Sequence, residues 1–328
     1  MDSRVVVLTG ASSGIGRAAA LAFAARGDKV VLAARGLADL EKVAAECGGD
    51  ALVVPADVTV REEVDALARA ALDRFGRIDV WADTAAVMVY GRFEDIPPHV
   101  FDRVVTADLL GPANVARAAL RVFRAQGHGT LITASSLVGH ITAPNMSAYS
   151  TAKWGLRALS RTLRQETRDA PDIHVCQLVP GSVDTPIYTS AANYAGFVGR
   201  PPPPVDSAER MGAAVVRLAD RPRRELSVGA TNRLIEFGFV AMPPVYDLLV
   251  GPLMGRLGLS QRRTPPSSGN VFASRPRVEG GPARFGRAAV GAAAAGAVAL
   301  SGVAALALRR GAATPWRRAG GGAGVRRK

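Results

Sequence analysis

At 328 residues, 48% of them hydrophobic, the chain is long enough to bury one large core, alone or with an appendage. Its formal net charge of +13 arises in the last quarter, because residues 256–328 hold 14 basic residues against one acidic residue and leave 27 of each sign in residues 1–255. A neutral body argues against nucleic acid as a partner, and two cysteines without metal-ligand spacing exclude a disulfide framework and predict no metal site.

The start of the chain predicts where the protein resides. Residues 1–4 lead directly into the strand-like run 5–8, which leaves no room for the apolar stretch of a secretory signal. Together with the low cysteine count, this arrangement predicts a cytoplasmic protein.

Short β-branched runs alternate with Ala-rich amphipathic stretches through the first part of the chain. The pattern predicts strands at 4–8, 29–34, 51–55, 78–82, 129–134, 173–179 and 225–229, and helices at 14–26, 37–47, 60–75, 98–125, 148–169 and 206–221. Such alternation is typical of a parallel sheet with helices on both faces. We therefore predict an α/β fold, a doubly wound parallel sheet (Rossmann fold) of about seven strands, in one domain spanning residues 1–229.

The alternation ends near residue 230. Residues 230–259 form an apolar extension interrupted by prolines, for which three interpretations stay open: packing on the domain, capping a site, or lying on a membrane surface. Residues 260–287 are rich in Arg, Pro, Ser and Gly and are typical of a linker.

The remaining tail, residues 288–328, is Ala-rich and flanked by Arg. Its uncharged run of 21 residues, 288–308, has the length of a membrane span, but it consists mostly of Ala and Gly. A C-terminal membrane anchor and a low-complexity tail outside the membrane are both open interpretations. An anchor would leave the domain in the cytoplasm.

A glycine-rich turn joins the first predicted strand to the first predicted helix. Its glycines let the backbone turn tightly and approach a pyrophosphate, to which the helix N-terminus offers unpaired N–H groups and a partial positive charge. Glycine-rich turns also serve ordinary loops, but here a β-branched strand precedes the turn and an Ala-rich helix follows it. We therefore expect nucleotide contacts from Thr9, Gly10, Ser12, Ser13, Gly14, Ile15 and Gly16.

The end of the second predicted strand bears on the choice of cofactor. An acidic residue there would bind the ribose hydroxyls of NAD, whereas the chain has Ala34 and then Arg35, whose guanidinium suits the 2′-phosphate of NADP. A solvated Arg at a strand end is the alternative. The position favours NADP(H), and Asp57 and Val58, after the third predicted strand, are placed to receive the adenine amino group.

Three polar side chains follow that can carry chemistry. Tyr149 and Lys153 lie four residues apart at the start of a predicted helix, and hence on one face of it. A phenol with a pKa of about 10 is a poor base at neutral pH, but a nearby ammonium stabilises the phenolate. Tyr149 can then exchange a proton with a substrate oxygen while hydride moves to or from the cofactor. Ser136, at the end of the fifth predicted strand, can donate a hydrogen bond to that oxygen.

A Tyr-x-x-x-Lys pair also arises in ordinary amphipathic helices, so the functional interpretation depends on the whole set of motifs and not on this pair alone. From about Ser3 to Gly229 the set resembles the short-chain dehydrogenase/reductase family. The resembling pieces are, in order, Thr9-Gly10-x-x-x-Gly14-x-Gly16, Asp57-Val58, Ser136, Tyr149-x-x-x-Lys153 and Pro180-Gly181-x-x-x-Thr185.

This resemblance implies a role for each residue of the set. Tyr149 is then the catalytic acid/base, Lys153 its activator and a ligand of the nicotinamide ribose, and Ser136 the residue that orients the substrate. It also implies contacts with the nicotinamide end from Pro180, Gly181 and Thr185, and we expect further cofactor contacts from Ala85 and Val183.

Two positions depart from the family pattern. The chain has Asp83-Thr84-Ala85-Ala86 where the family carries Asn-Asn-Ala-Gly, and Asp108 where the family has a catalytic Asn. Asp keeps the shape of Asn but loses the amide donors, and a carboxylate near Lys153 could form an ion pair with it. Two hypotheses follow: an active NADP-dependent oxidoreductase with Asp108 as a fourth catalytic residue, or an NADP(H)-binding protein of the same fold with weak or no catalysis and a regulatory or scaffold role.

Residues 186–204 lie where the family keeps its substrate-covering loop. Their aromatic and apolar content is typical of a lid over a lipophilic secondary alcohol, ketone or aldehyde, and a proline-fixed surface loop is the alternative. The resemblance also implies a homodimer or homotetramer formed through the predicted helices 98–125 and 148–169.

Overall fold

The structure is a computed structural model that describes residues 3–48 and 50–274. The strands are β1 (Val5–Thr9), β2 (Lys29–Ala33), β3 (Leu52–Val53), β4 (Val80–Asp83), β5 (Val89–Tyr90), β6 (Gly129–Ala134), β7 (Ile173–Pro180), β8 (Ser182–Val183), β9 (Ala192–Asn193), β10 (Phe197–Gly199), β11 (Val205–Asp206), β12 (Glu225–Val228) and β13 (Leu259–Arg263). The helices are α1 (Gly14–Ala24), α2 (Leu37–Cys47), α3 (Arg61–Phe75), α4 (Pro98–Val105), α5 (Gly111–Gln126), α6 (Ser147–Glu166), α7 (Ala208–Asp220), α8 (Asn232–Ala241) and α9 (Pro243–Leu253).

Seven of these strands form a parallel sheet in the order β12-β7-β6-β4-β1-β2-β3. The chain moves outward from β1 through β2 to β3 and then returns to build the other half from β4. The two halves therefore separate at β1 and β4, and in open α/β sheets ligands bind at the carboxyl ends of the strands on either side of such a point.

Alternate residues of β1 supply two cores. Val6 and Leu8 pack with α1, α2 and α7 on one face of the sheet, whereas Val5 and Val7 pack with α3 and α5 on the other. Because side chains alternate across a strand, an unbroken apolar run such as Val5–Leu8 marks a strand that is buried on both faces.

The predicted fold class is confirmed: all seven predicted strands form the central sheet, and five of the six predicted helices are present within a few residues of their predicted bounds. The helix predicted at 98–125 differs, because a turn of π-helix at Thr106–Leu110 separates α4 from α5. Pro112 has no N–H to donate to the Asp108 carbonyl four residues back, and the wider turn accommodates this missing bond.

The apolar extension forms α8 and α9, which pack on the domain, one of the three interpretations that the sequence left open. The Tyr246 ring is buried edge-to-face against Phe239, with centroids 5.1 Å apart, and its hydroxyl donates to the Thr142 carbonyl at 2.6 Å. Several apolar side chains on these helices face outward, namely Leu234, Phe237, Val240, Leu248 and Leu253.

The described part of the predicted linker, residues 260–274, lies against the domain. Strand β13 pairs antiparallel with β10, and residues 264–274, which we name the C-terminal strap, continue across the carboxyl edge of the sheet. For these residues the structure differs from the predicted linker, because their backbone groups bond to the domain instead of to solvent. The domain boundary at 229 stays a prediction, and the predicted 288–328 tail lies outside the described residues.

Among residues 3–48 and 50–274, no helix is both long and apolar enough to span a bilayer. The run 288–308, for which an anchor was one interpretation, falls outside this range. Within the same described range, no group of three or more His, Cys, Asp or Glu side chains is arranged to hold a metal ion.

Candidate active site

The glycine turn lies at the carboxyl end of β1 and packs directly against the chain that follows β4. A Cβ atom on Gly10, where φ is +76°, would lie 2.6 Å from the Ala85 nitrogen, and one on Gly16 would lie 2.3 Å from the Gly10 carbonyl oxygen. These contacts leave no room for side chains, so the backbone itself forms the surface of the turn. Ser12 and Ser13 lie in the same turn, and Ile15 lies in the first turn of α1.

The N-terminus of α1 is open for an anion. Ser13 is the N-cap residue, but no side chain caps the first turn of the helix. A Cβ atom added to Gly14 would lie 3.1 Å from the methyl carbon of Thr185, so the structure brings Thr185 to the edge of the glycine turn. Uncapped N–H groups and the helix dipole suit a phosphate at this end of α1.

Asp83, which replaces a family Asn, is held by Thr9. The two residues are register partners in neighbouring parallel strands, and the Thr9 hydroxyl donates to Asp83 Oδ1 at 2.7 Å. The Ala85 N–H donates to the same oxygen at 3.3 Å. Burial raises the pKa of Asp83, and the Thr9 hydrogen bond opposes that rise. The local strand contacts are therefore retained despite the substitution.

Ser136, Tyr149 and Lys153 meet at the carboxyl end of β6 and the start of α6. Ser136 lies close enough to Tyr149 to act on the pKa of its hydroxyl. Lys153 Nζ lies 5.4 Å from the centre of the Tyr149 ring and donates to the Ala134 carbonyl at 3.2 Å. Burial is the main cause that raises the pKa of Tyr149, the Asp108 charge adds to it, and the Ser136 hydrogen bond lowers it. The three side chains thus form one connected group.

Asp108 completes this group from the π-helical turn. Its Oδ1 accepts the Val87 N–H at 2.8 Å, and its Oδ2 lies 3.5 Å from Lys153 Nζ. The side chain is fully buried, and burial raises the pKa of Asp108 to about 6 even though Lys153 opposes the rise. The ion pair that the sequence left open is therefore present. Above about pH 6 the ionised Asp108 carboxylate places a negative charge near Tyr149.

At the expected adenosine end, the side chains already have partners within the chain. The Arg35 guanidinium donates to the Asn270 carbonyl at 2.6 Å and to the Val271 carbonyl at 3.1 Å. Asp57 pairs with Arg103 at 2.5 Å and accepts from Thr59. Burial alone raises the pKa of Asp57, but the hydrogen bonds from Thr59 and Arg103 outweigh it and lower the pKa.

The sequence predicted cofactor contacts for Arg35 and Asp57 and did not identify these partners within the chain. Val58, the neighbour of Asp57, is buried against the start of α5. A Cβ atom added to Gly111 would lie 2.7 Å from Val58 Cγ2. The sequence offered no signal for the Arg35 contact, because backbone carbonyls of the strap make it from 235 and 236 residues away.

The remaining predicted contacts lie along the turn after β7. Pro180 ends β7, the Gly181 N–H donates to the Val228 carbonyl at 2.8 Å, and Val183 is buried in the core where β8 pairs with β11. A Cβ on Gly181 would lie 2.7 Å from Asn232 Oδ1, so Gly181 faces α8. Of this segment, Thr185 is the residue that the structure brings to the glycine turn.

An apolar cluster surrounds the Tyr149 ring, and the sequence identified only part of it. Four members come from the predicted substrate loop, namely Ile187, Tyr188, Ala191 and Ala195, whereas the others come from segments scattered along the chain. Those are Met88, Tyr90, Val138, Ala143, Met146, Met254 and Leu259. The apolar run 87–90 after β4 was the available signal for Met88 and Tyr90; Met254 and Leu259 had none beyond the apolar character of the extension.

A glycine turn at the helix N-terminus and a connected Ser-Tyr-Lys group beside it define the class of protein, an oxidoreductase built on a Rossmann fold. Residues 4–194 match the family model described as short chain dehydrogenase. The chain belongs to this family.

Relatives of known sequence agree with this assignment. The uncharacterized oxidoreductase YxnA of Bacillus subtilis is 32% identical over 264 residues, which cover 77% of this chain and 73% of the relative. The uncharacterized oxidoreductase Lmo0432 of Listeria monocytogenes is 29% identical over 244 residues, which cover 71% of this chain and 98% of the relative.

Solved structures share the fold. The alcohol dehydrogenase of the archaeon Thermococcus sibiricus, complexed with 5-hydroxy-NADP, is 31% identical with a TM-score of 0.62 and covers 69% of this chain and 96% of its own. A short-chain dehydrogenase of Streptomyces avermitilis is 29% identical with a TM-score of 0.66 and covers 74% of this chain and 95% of its own.

Proposed function

We propose that the protein transfers hydride reversibly between NADP(H) and a lipophilic secondary alcohol, ketone or aldehyde. One observation carries this proposal: Lys153 Nζ lies 5.4 Å from the centre of the Tyr149 ring, Ser136 acts on the pKa of the Tyr149 hydroxyl, and this group stands at the same sheet edge as an uncapped helix N-terminus. An acid/base group next to a nucleotide site is the arrangement that carbonyl reduction requires.

The residues present fit a nicotinamide nucleotide. The glycine turn and the N-terminus of α1 would hold its pyrophosphate, and Thr185 and Lys153 would hold its nicotinamide end. When bound, this group supplies or accepts the hydride.

The chain itself moves the proton. In reduction, the Tyr149 hydroxyl gives its proton to the carbonyl oxygen, while Ser136 donates a hydrogen bond that orients this oxygen and stabilises its developing charge. Lys153 holds positive charge near the resulting phenolate, and it is kept in place by the Ala134 carbonyl and Asp108. In alcohol oxidation the same proton returns to Tyr149.

Two observations support NADP(H) over NAD(H). Arg35 lies two residues beyond the end of β2, where NAD-specific sites carry an acid, and the similar Thermococcus sibiricus enzyme is complexed with an NADP derivative. The apolar cluster around Tyr149, with Met88 and Tyr90, supports a lipophilic substrate. We further propose a dimer or tetramer formed through α5 and α6, the helices that family members commonly use.

Asp108 favours a second candidate function, a cofactor-binding protein with weak catalysis. Its charge raises the pKa of Tyr149 and so disfavours the phenolate that alcohol oxidation needs. The complete Ser136–Tyr149–Lys153 group supports the active enzyme, since a protein that only binds cofactor needs neither Ser136 to orient a substrate nor Tyr149 as an acid/base.

Fluorescence titration with NADPH and NADH, followed by a panel of carbonyl substrates, tests the proposal. We expect NADPH binding and turnover of at least one lipophilic member of the panel. The variant Tyr149→Phe should lose turnover by about 10²–10⁴-fold or more, since it removes the proton donor, while its NADPH affinity stays within about twofold. Full turnover by Tyr149→Phe would refute the mechanism, and NADPH binding without turnover would favour the second candidate.

A further inference from the structure

The C-terminal strap connects two parts of the candidate site that are distant in the chain. On the substrate side, the Asn270 N–H donates to the Ser190 carbonyl at 2.9 Å. On the adenosine side, the carbonyls of Asn270 and Val271 accept from the two terminal nitrogens of Arg35. The same short segment therefore contacts the predicted substrate loop and the residue on which the preference for NADP(H) rests.

The strap is docked by contacts that do not involve Arg35. Val271 is fully buried in the apolar cluster of α4, and Ser267 exchanges two backbone hydrogen bonds with Asn193, at 2.8 and 3.0 Å. The Phe272 ring stacks on His99, with centroids 5.7 Å apart and planes at 28°. Burial and main-chain pairing thus hold the two strap carbonyls at the Arg35 guanidinium.

A 2′-phosphate that binds Arg35 would compete with the strap carbonyls for that guanidinium. Arg binds phosphate best through two parallel N–H groups, and both terminal nitrogens already donate to carbonyl oxygens. A carbonyl oxygen has a partial negative charge and a phosphate has a formal negative charge. The two groups therefore repel each other when both approach one partly buried guanidinium. The corresponding group of NAD(H) is a neutral hydroxyl, which makes no such demand on Arg35.

We propose that the strap is a specificity determinant that competes with the 2′-phosphate of NADP(H) for Arg35. Binding of NADP(H) then breaks the contact between Arg35 and the strap, whereas NAD(H) leaves this contact in place. The inference rests on the proposed function, because it concerns the same cofactor site.

The test is a double-mutant cycle on the full chain, read out as dissociation constants for NADPH and NADH. The variant Val271→Ala/Phe272→Ala loosens the strap, and it should lower the NADPH dissociation constant on the order of tenfold while the NADH constant stays within about twofold. In an Arg35→Ala background the same strap substitutions should change neither constant. Phe93→Ala is the control, because it truncates an exposed ring that packs edge-to-face on Phe101 of α4 and not on a strap residue, and it should change neither constant.

Other outcomes of the cycle would overturn the inference. Weaker NADPH binding in the strap variant would show that the strap contributes favourable contacts to the cofactor. Unchanged binding would show that the strap has no influence on the choice of cofactor. The single variant Phe272→Ala, which truncates a half-exposed ring, serves if the double variant does not fold. Wild-type protein that binds neither nucleotide would contradict the proposed function itself, a result distinct from both of these.

Hydrogen–deuterium exchange of the wild-type protein gives an independent readout. NADPH should speed exchange at the Asn270 and Val271 amides, because it removes the Arg35 donors from the carbonyls of these two residues. NADH should leave their exchange unchanged. Slower exchange at these amides with NADPH would contradict the competition.

Discussion

Asp108 uses its two carboxylate oxygens for different purposes. Oδ1 accepts a backbone N–H, a task that an Asn could perform equally, whereas Oδ2 brings charge to Lys153. Because the pKa of Asp108 is raised to about 6, the folded chain holds this proton more tightly than the unfolded chain does. The contribution of Asp108 to the free energy of unfolding therefore falls as the pH rises from about 4 to about 6.

Replacement of Asp108 by Asn should make the enzyme a better catalyst of alcohol oxidation at neutral pH. Removing the negative charge lowers the pKa of Tyr149, so the basic limb of the pH–rate profile for oxidation shifts to lower pH. We expect kcat for oxidation at pH 7 to rise by about three- to tenfold, since each pKa unit changes the ionised fraction tenfold. The measurement is a pH profile of kcat from pH 5 to 10. Asp220→Asn, which removes an exposed carboxylate that pairs with Arg4 and Arg26, should leave the profile unmoved.

The pair formed by Thr9 and Asp83 predicts a stability effect that depends on pH. Thr9→Val removes the donor to a buried carboxylate and should lower the free energy of unfolding by about 1–3 kcal/mol at pH 8. The pKa of Asp83, already raised by burial, should rise further, so the loss should shrink at pH 5, where more of the carboxyl is protonated. Urea unfolding at both pH values checks this. Thr9→Ser keeps the hydroxyl, and a pH-dependent loss in that variant would contradict the explanation.

At the scale of elements, the glycine turn is fixed by close backbone packing. Gly16→Ala would place a methyl group 2.3 Å from the Gly10 carbonyl oxygen and 2.5 Å from the Thr84 hydroxyl. Overpacking of this kind costs about 1–3 kcal/mol and displaces the backbone that faces the nucleotide. We expect a lower Tm and at least tenfold weaker NADPH binding, measured by thermal unfolding and titration.

Gly27→Ala is the control for that experiment. Gly27 has a positive φ, +80°, which Gly16 does not, but a Cβ there meets nothing within 4 Å. It should cost about 1–2 kcal/mol of backbone strain and leave NADPH affinity intact. Equal loss of affinity in both variants would show that general destabilisation, and not the packing of the turn, is responsible.

Local patterns predicted the regular elements because each carries its own signal. The central strands read as short β-branched runs and the helices as Ala-rich periodic stretches, so both appear in the sequence before any long-range contact is known. The π-helical turn has only a weak signal, the proline at 112, since the apolar period continues across it. The two-residue strands β5, β8, β9 and β11 form through partners distant in the chain and have no local pattern.

At the scale of the molecule, the amino-acid composition of the strap did not indicate that the segment contacts the domain. Its Pro, Ser and Gly content is typical of a linker, yet backbone carbonyls make its key contacts, and every residue type provides those. The sequence did identify the Ser136–Tyr149–Lys153 group, because the order and spacing of its motifs are specific. It did not show that Arg35 and Asp57 are engaged within the chain, since their partners come from other segments.

The proposed assembly gives a further prediction at this scale. Ala158 is exposed on α6, so Ala158→Arg should place a charge in an interface formed by α5 and α6. We expect the dissociation constant of the oligomer to rise at least tenfold. Sedimentation velocity across a concentration series measures this. Ala66→Arg introduces the same charge at an exposed position on α3 and should leave the oligomer intact. A monomeric wild-type protein, or equal dissociation by both variants, would contradict the proposed interface.

The distance along the chain between Arg35 and its strap has a consequence for synthesis. The two are separated by up to 236 residues, which a ribosome adds in roughly 12–47 s at about 5–20 residues per second. Arg35 and the glycine turn are therefore made well before the segment that engages the guanidinium. A nascent chain that folds its first half early presents Arg35 to the nucleotide pool without a competitor, so the cofactor that is abundant during translation can be the first to occupy the site.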